Sequence, residues 1–585
     1  MTKNFVAILI GLLVSTGNGW GHNVRPLIMP DRSLLSGPVI SNLAYDSIHQ
    51  DGVTLFWMTN LPADSKVWWM PTDSNNQPLL FSDSIYIAEA VTNHVVPVGN
   101  LQPATIYRFR ITSGNSDGTA ADTGYFITQS TSSGSMEAYF NHTVDTTVST
   151  GEKAKGDQNF ENLLVDRIDH AASSIDITLW EFSDLTAISD ALVRAKERGV
   201  KIRFIYNHAP NTPLIDSLLA HEIPVLKREY DTTYDMHNKF WIFDYRNNPD
   251  AGTCYLNTGS ANVSHPMFHS DRNNMIVIQD ESLCAVYTRE FEQMWGSHED
   301  HPDPLRARFG TQKSDNVPHL LNVAGTRMEV WFVPNDHVAE RTCSLISRNT
   351  TKSLFFSMYK FYLTNIEDTL HTQFTSGMEI RGVFDSSHAF RHESVYSRMK
   401  GIDSVGAWNP HADVFIDPIH GLLHHKYCIM DADAEAGNKI TVTGSFNWDP
   451  ETNAGNDDNA LVIFNSRVSN LYFQEFMARY KESGGTLIGM YEPEHQEFNG
   501  ILEQNFPNPF HSSTRIRYHL PEAGLVTIMI FDQCGNQVVQ LVGEKEQAGS
   551  HEVNWDASGY KIGVYYYMLI TENCRMTRKS ILINH

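Results

Sequence analysis

Hydrophobic and polar residues alternate along several short segments near the start of the chain, with turn residues between them. The clearest of these segments are residues 53–57, 66–69 and 106–111. Alternation with a period of two is typical of β-strands that bury one face. We therefore predict a β-sandwich over residues 25–129.

A different pattern begins after a Ser/Thr/Gly-rich linker at residues 129–135. Strand-like, helix-like and again strand-like segments follow one another, with a glycine after the helix, and the same order returns later in the chain. A duplication this long indicates paired α/β units and not a solenoid, so we predict pseudo-equivalent halves at 136–310 and 320–484 that pack together. The matching segments are 174–180, 185–197, 199 and 200–206 in the first half and 353–359, 366–374, 377 and 378–384 in the second.

The two ends of the chain have their own patterns. Residues 1–22 contain Lys3, an apolar run at 5–14 and then small and polar residues, which is the pattern of a signal peptide, and the run is too short to span a bilayer. Residues 501–585 alternate in short strands and predict a small all-β domain. The predicted architecture is thus multidomain: a β-sandwich, an α/β region of two halves, and a small all-β domain.

One short motif occurs once in each predicted half. Its spacing is H-x-K-x4-D on a strand-like segment, so the histidine and the lysine share one face of the strand and the aspartate lies on the other. A G-S-x-N motif follows, its glycine 22 positions after the first histidine and 20 after the second. Two copies at matching places in a duplication indicate one shared function. The motif residues are His237, Lys239, Asp244, Ser260 and Asn262 in the first half, and His424, Lys426, Asp431, Ser445 and Asn447 in the second.

These paired motifs resemble those of the phospholipase D superfamily, over about residues 136–484. The resemblance implies a single active site built from both halves, a phosphohistidine intermediate, and no metal or other cofactor. The Gly-Ser-Phe-Asn-Trp form at 444–448, with the segment 456–463 behind it, is similar to the branch that contains bacterial nucleases and cardiolipin-cleaving relatives. The resemblance therefore leaves the substrate open.

The residue types suit phosphodiester cleavage. The anionic phosphodiester needs cations and hydrogen-bond donors around its oxygens, a nucleophile, and an acid for the leaving alcohol. Lys239 and Lys426 supply positive charge, and one histidine attacks phosphorus while the other protonates the leaving group. The side chains expected to donate to the phosphate are Ser260, Asn262, Ser445 and Asn447.

An attacking imidazole works best when a carboxylate holds its far nitrogen. Asp458, eleven positions after Asn447, stands where members of the family carry that acid, and we expect it beside His424. The first half has Asn273 at the matching position, with Asp271 as a possible substitute. In the family, the nucleophile is usually the histidine of the N-terminal copy, here His237. A carboxylate beside His424 would instead favour His424 as the nucleophile, and the sequence leaves both assignments open. We interpret Asp244 and Asp431 as structural.

Two further resemblances lie outside the duplication. Residues 101–107 are similar to the tyrosine corner of fibronectin type III domains, in which a tyrosine hydroxyl ties a strand to the preceding loop. The Pro-Asn-Pro-Phe at 507–510 and the Gly-Val-Tyr at 563–565 resemble the sorting domain of proteins exported by the type IX secretion system. This implies secretion to the surface or surroundings of a Gram-negative cell, with the type IX machinery as a partner.

Charge bears on the choice of substrate. The formal net charge of −24 disfavours extended binding to nucleic acid, which normally needs a basic face. The leading hypothesis is hydrolysis of phospholipids at a membrane surface to phosphatidic acid and the head-group alcohol, which the apolar loop at 265–268 also favours. The alternatives are an extracellular metal-independent endonuclease and a catalytically inactive surface-binding protein. Because the two halves complete one site, a monomer suffices for catalysis.

Overall fold

A computed structural model describes most of the chain in two compact units. Of the residues that the structure describes, the first unit takes those within 37–133, 280–290 and 316–327, and the second takes those within 134–279, 291–315 and 328–583. The predicted signal peptide lies outside the described residues, and no helix among the described residues is long and apolar enough to cross a membrane. The described residues are 37–72, 83–208, 212–228, 234–247, 253–403, 405–419, 421–434, 439–486, 501–520, 522–532, 537–571 and 575–583.

The first unit contains antiparallel β-strands, as the alternating pattern predicted; its five strands belong to one sheet, and the β-sandwich stays a prediction. Its order is β1-β2-β4-β5, with β3 also pairing with β2. The hydroxyl of Tyr107 accepts the backbone N–H of Gln102 at 2.8 Å, which is the contact expected of a tyrosine corner; the likeness to fibronectin type III stays a prediction. The strands are β1 (Ile40–Asp46), β2 (Gly52–Pro71), β3 (Asp83–Gly99), β4 (Ile106–Asn115) and β5 (Gly118–Ile127).

Two segments inside the predicted halves, residues 280–290 and 320–327, group with this unit by their contacts, although the helix at 281–295 and the strand at 326–333 continue into the halves. Leu320 is buried in its core and the hydroxyl of Tyr45 donates to the Leu320 carbonyl at 3.0 Å, while Ser130 donates to Asp280 at 2.6 Å. These contacts join residues far apart along the chain, so the spacing of apolar residues could not reveal them.

The first α/β half is a seven-stranded sheet of order β6-β12-β11-β10-β7-β8-β9. Strand β7 runs parallel to β8 and antiparallel to β10, which carries the first motif. Its elements are β6 (Met136–Phe140), a 3-10 turn (Thr146–Val148), α1 (Phe160–His170), β7 (Ser174–Glu181), α2 (Thr186–Glu197), β8 (Lys201–His208), α3 (Thr212–Ala220), β9 (Val225–Lys227), β10 (Lys239–Phe243), β11 (Tyr255–Gly259), α4 (His265–His269), β12 (Asn274–Ile278) and α5 (Glu281–Trp295).

The second half repeats this plan, with strands in the order β14-β20-β19-β18-β15-β16-β17. Strand β15 is buried along its whole length, which explains its continuous apolar sequence. The elements are a 3-10 turn (Gly310–Gln312), β13 (Leu320–Val323), β14 (Thr326–Val333), α6 (Val338–Asn349), β15 (Ser353–Met358), α7 (Thr364–Thr375), β16 (Glu379–Phe384), α8 (Tyr396–Met399), β17 (Asp413–Ile416), β18 (Lys426–Met430), β19 (Ile440–Gly444), α9 (Pro450–Gly455), β20 (Asp458–Phe464) and α10 (Ser466–Glu482).

The two halves exchange backbone contacts at the points where the motif strands begin. Met236, just before β10, forms a parallel bridge with Asp457, and Leu423, just before β18, forms one with Arg272. The N–H of His237 donates to the Asp457 carbonyl at 2.9 Å, and the N–H of His424 donates to the Arg272 carbonyl at 3.0 Å. Each motif histidine is therefore held by the other half.

The C-terminal region is all-β, as predicted. Its two antiparallel sheets have the orders β21-β22-β25 and β24-β23-β26-β27, and they share a core that includes Phe510, Trp555 and Tyr567. The Tyr567 hydroxyl accepts the N–H of Asn505 at 2.7 Å. The strands are β21 (Ile501–Leu502), β22 (Ser513–Leu520), β23 (Gly524–Asp532), β24 (Gln537–Glu546), β25 (Gly549–Asp556), β26 (Gly563–Ile570) and β27 (Arg575–Leu582).

Candidate active site

Both motif lysines are buried at the first residue of their strands. Lys239 and Lys426 are 2% and 3% exposed. The ammonium of each donates to the backbone carbonyl of the histidine two residues earlier, Lys239 to His237 and Lys426 to His424, both at 2.7 Å. The lysines are thereby fixed in equivalent positions beside the two histidines.

The orienting residues pair across the halves, so our placement of Asp458 beside His424 is wrong. Nδ1 of His237 lies 2.8 Å from Oδ1 of Asp458, and Nδ1 of His424 lies 3.1 Å from Oδ1 of Asn273. The cause is the backbone pairing between the halves. Because His237 binds the Asp457 carbonyl, the next residue along the chain faces His237 and not the histidine of its own half.

Asp271 does not replace the missing carboxylate. Its Oδ1 accepts the backbone N–H of Leu422 at 2.8 Å, in the segment that leads to His424. Asn273 itself holds a fixed orientation, because its Nδ2 donates to the Met267 carbonyl at 2.8 Å and its Oδ1 is thus turned toward His424. The histidine of the second half therefore has a neutral acceptor only.

We had expected the two motif serines to donate to the phosphate. Instead, their hydroxyl groups donate to the orienting residues. The hydroxyl of Ser260 donates to Oδ1 of Asn273 at 2.8 Å and accepts the N–H of Asn274 at 3.1 Å. The hydroxyl of Ser445 donates to Asp458 and accepts the N–H of Asn459 at 3.1 Å. The serines thus position the groups that position the histidines.

The glycine of each G-S-x-N motif permits this close packing. Gly259 and Gly444 have φ angles of 157° and 135°. A Cβ atom would lie 2.2 Å from the Asn274 carbonyl oxygen at Gly259, and 2.4 Å from the Asn459 carbonyl oxygen at Gly444. Any side chain there would separate neighbouring strands and withdraw the serine from its partner.

The motif asparagines fit the predicted role of phosphate donors. Asn262 and Asn447 are 1% and 2% exposed, and within the described part of the chain Oδ1 of each has no hydrogen-bond partner. A buried amide without a partner is costly, and a half-turn of the amide exchanges its oxygen for its NH2 group. An anion bound between the halves would complete the hydrogen bonding of both amides.

Burial and the clustered lysines set the protonation states. Burial lowers the pKa of His237 and His424 well below the ordinary value, and the field of both lysines lowers each further. Burial also lowers the pKa of Lys239 to about 7 and raises the pKa of Asp458 to about 7. Both imidazoles are therefore neutral near pH 7, which suits one of them to attack phosphorus.

Asp244 and Asp431 lie at the far ends of the motif strands. Oδ1 of Asp244 accepts the N–H groups of residues 172, 173 and 174 at 2.8, 2.6 and 3.3 Å. Oδ1 of Asp431 accepts the N–H groups of residues 352 and 353 at 2.7 and 3.0 Å, and its Oδ2 accepts that of residue 351 at 2.9 Å. Each carboxylate caps the segment that enters the neighbouring strand, consistent with our structural interpretation.

Aromatic residues beside the histidines were not assigned to the site from the sequence. The Tyr359 ring lies 4.7 Å from the His424 ring, with the Lys426 ammonium 4.6 Å from its centre. The Trp180 ring lies 6.1 Å from the His237 ring. Trp180 and Tyr359 occupy matching positions in the duplication, and this match could have assigned both rings to the site from the sequence.

The apolar loop at 265–268 does not support a lipid substrate. Met267 and Phe268 are buried in the core of the first half, where Phe268 packs edge-on against Phe160 at 5.8 Å. This loop therefore offers no exposed apolar surface from these two side chains.

Comparisons with known proteins find a family match over both halves. Residues 164–295 and 343–480 match the family described as cardiolipin synthase, PLD-like domain. This chain carries a phospholipase D-like domain. A second match, to the secretion system C-terminal sorting domain at residues 504–584, accounts for the all-β region and indicates export.

The relatives of the phospholipase D-like domain align with part of it. Over 148 residues it is 32% identical to a mitochondrial cardiolipin hydrolase of Drosophila melanogaster, covering 23% of this chain and 57% of the relative. The Xenopus laevis protein of that name is 29% identical over 163 residues, covering 27% and 70%. The solved phospholipase D family member Nuc of Salmonella typhimurium is 22% identical, with a TM-score of 0.23 and coverage of 26% and 94%. The chain thus spans little more than half the length of the fly relative.

Proposed function

We propose that this protein cleaves phospholipids to phosphatidic acid and the head-group alcohol, with His237 as the nucleophile. The observation that carries the role of His237 is its pairing with Asp458 at 2.8 Å, where His424 has only the amide of Asn273. A carboxylate stabilises the positive charge that develops on an attacking imidazole, and an amide oxygen does so less well. The roles are thereby divided between the two histidines.

In the first step Nε2 of His237 attacks phosphorus, and the bond from phosphorus to the head-group oxygen breaks. His424 gives a proton to that oxygen. The bound phosphodiester anion offsets the field of the two lysines, which raises the pKa of His424 and allows it to carry this proton. Lys239, Lys426 and the two motif asparagines hold the non-bridging oxygens.

In the second step His424 takes a proton from water, and the hydroxyl oxygen attacks the phosphohistidine. The phosphorus–nitrogen bond breaks and His237 returns to its neutral form with Asp458 still beside it. The balance is one diester and one water converted to phosphatidic acid and one alcohol. An alcohol in place of water would give head-group exchange.

Phospholipid is favoured over nucleic acid as the substrate for two reasons. The relatives named above are cardiolipin hydrolases, and the net charge of −24 opposes a long polyanion. One observation favours the endonuclease alternative: the rings of Trp180 and Tyr359 beside the histidines offer stacking surfaces of the kind that bind nucleobases. An inactive binding protein is disfavoured because both motifs are intact.

The test compares head-group release from choline- and ethanolamine-phospholipid vesicles with nicking of plasmid DNA in EDTA. We expect head-group release by the wild type, with loss of activity in His237→Ala and His424→Ala. Nicking without release would establish the endonuclease instead, and absence of both activities would favour the binding protein. Because phosphohistidine hydrolyses in acid, the trapped phosphoenzyme should be digested and its peptides separated at alkaline pH. Label on His424 would overturn our assignment of the nucleophile.

A further inference from the structure

The two halves carry opposite charges at one pseudo-equivalent position next to the site. The sequence Trp180-Glu181-Phe182 in the first half matches Tyr359-Lys360-Phe361 in the second. Both phenylalanines are buried, and both form a parallel bridge to a residue that follows the G-S-x-N asparagine, Phe182 to Val263 and Phe361 to Trp448. Glu181 and Lys360 therefore occupy equivalent places, and the duplication has diverged there from acid to base.

The two side chains also differ in their partners. Oε1 of Glu181 accepts the hydroxyl of Ser183 at 3.1 Å. The backbone carbonyl of Lys360 accepts the N–H of Trp448 at 3.1 Å, but its ammonium has no hydrogen bond or ion pair to any residue that the structure describes. A half-buried ammonium without a partner is a group that a ligand can satisfy.

An aromatic wall leads away from His424 on the same side. The Tyr359 ring lies 4.7 Å from the His424 ring and 4.5 Å from the His388 ring, and the Tyr362 hydroxyl is hydrogen-bonded to Nδ1 of His388. Because His424 protonates the leaving alcohol in the proposed mechanism, the rest of that alcohol lies along this wall.

Basic and acidic side chains both lie around this wall. Burial lowers the pKa of His388 to about 4, with further lowering by Lys360, Arg391 and Lys426, so His388 itself is neutral. The nearby carboxylate of Asp385 is already engaged by backbone N–H groups, that of Ser387 on Oδ1 and that of Leu423 on Oδ2, both at 2.9 Å. The ammonium of Lys360, which also lowers the pKa of His237, forms no ion pair with a described residue, while the carboxylates of Asp449 and Glu393 act on the Tyr362 hydroxyl.

We propose that Lys360, with the wall formed by Tyr359, His388 and Tyr362, is a subsite for a second anionic group carried by the leaving alcohol. The ligand is an alcohol that bears a phosphate, so that substrates with two phosphates are preferred over those with one. This inference rests on the proposed function, since it concerns the alcohol that the same site releases.

The test uses a matched pair of lipids in detergent micelles, phosphatidylglycerol phosphate and phosphatidylglycerol, whose leaving alcohols differ only in a phosphate. We expect the wild type to cleave the first with the higher kcat/KM. Lys360→Met should lower the ratio of the two kcat/KM values by roughly tenfold, as expected for loss of a charge-assisted hydrogen bond. Lys360→Arg should largely keep the ratio. The control is Lys153→Met, which removes the charge of an exposed lysine outside the site and should leave the ratio unchanged.

The outcomes separate this inference from the proposed function. If the wild type cleaves both lipids and the Lys360→Met ratio equals the wild-type ratio, the subsite is overturned and the phospholipase activity stands. If the wild type cleaves neither lipid, the proposed phospholipase function is contradicted, and the subsite that rests on it is contradicted as well. The wild type alone covers a variant that does not fold: equal kcat/KM values for the two lipids would contradict the subsite.

Discussion

Asp458 and Asn273 have nearly the same shape, and each places Oδ1 near Nδ1 of a histidine of the other half. The difference between them is a charge. Asp458 can stabilise an imidazolium on His237, whereas Asn273 can only accept a hydrogen bond from His424. At the scale of single residues, the proposed division of roles between the two histidines rests on this difference.

Asp458→Asn should make the His237 side resemble the His424 side. The hydrogen bond can persist, but the charge that stabilises the developing imidazolium is lost, so kcat should fall by roughly 10²- to 10⁴-fold. Steady-state kinetics and rapid-quench measurement of the phosphoenzyme would check this. Asn273→Asp is the matched control, because it adds a carboxylate at the equivalent place and should cost much less. Equal losses in the two variants would contradict the division of roles.

The pH dependence follows from two buried groups with opposite requirements. In the proposed mechanism Asp458 is ionised and Lys239 is protonated. Burial raises the pKa of Asp458 to about 7 and lowers the pKa of Lys239 to about 7. A fall in pH neutralises Asp458 and a rise neutralises Lys239, so kcat/KM should peak near pH 7 and decline on both sides. The kcat profile should shift to higher pH, because the bound anion raises both pKa values. A flat kcat/KM profile from about pH 5 to about pH 9 would contradict this prediction.

At the scale of elements, Asp244 and Asp431 tie the end of each motif strand to the start of its neighbour. Both have positive φ angles, 55° and 56°, a conformation that aspartate and asparagine tolerate better than alanine. Both are largely buried. The register of β10 on β7, and of β18 on β15, therefore depends on these two carboxylates.

Asp431→Ala should destabilise the fold by about 2 to 4 kcal/mol, because the N–H groups of residues 351–353 lose their acceptor and alanine is strained at this φ angle. Urea unfolding followed by fluorescence would measure the loss. Asp431→Asn keeps a tolerated φ angle and one acceptor oxygen, so it should lose less. Asp368→Ala, on the exposed side of α7, is the control and should change stability by about 0.5 kcal/mol or less. A loss in Asp431→Ala no larger than this control would contradict the structural role.

The elements and the pairing between them were not equally predictable. The alternation at 53–57 and the repeated strand, helix and strand order are local patterns, and the structure contains the elements that they predict. The placement of Asp458 was not accessible in this way, because spacing along the chain does not say which half a residue faces. Likewise, the hydrogen bonds from Ser260 and Ser445 to the orienting residues depend on how neighbouring strands pack, which the G-S-x-N motif alone does not predict. The difference between Glu181 and Lys360 at equivalent positions was visible in the aligned halves, but only the structure showed that these positions lie beside the site.

At the scale of the whole molecule, the proposed active site takes a histidine, a lysine and an orienting residue from each half. The proposed monomer would hold the complete set, so mixing His237→Ala with His424→Ala protein should restore no activity. The mixture would be incubated at high concentration and assayed after dilution against each variant alone. Recovery toward a quarter of the wild-type activity or more would show exchange of halves between chains and would contradict a monomeric site. A mixture of wild type and His237→Ala controls for inhibition by the variant.

The backbone bridges between the halves, Met236 to Asp457 and Leu423 to Arg272, also affect which substitutions an ancestor of this protein could use. In an assembly of two identical chains, any substitution of the orienting residue reaches both histidines at once. When the copies are fused, a substitution at position 273 alters the neighbour of His424 and leaves His237 untouched. Fusion therefore lets a mutation in one copy specialise the other, so the difference between Asp458 and Asn273 needed no change near His237 itself.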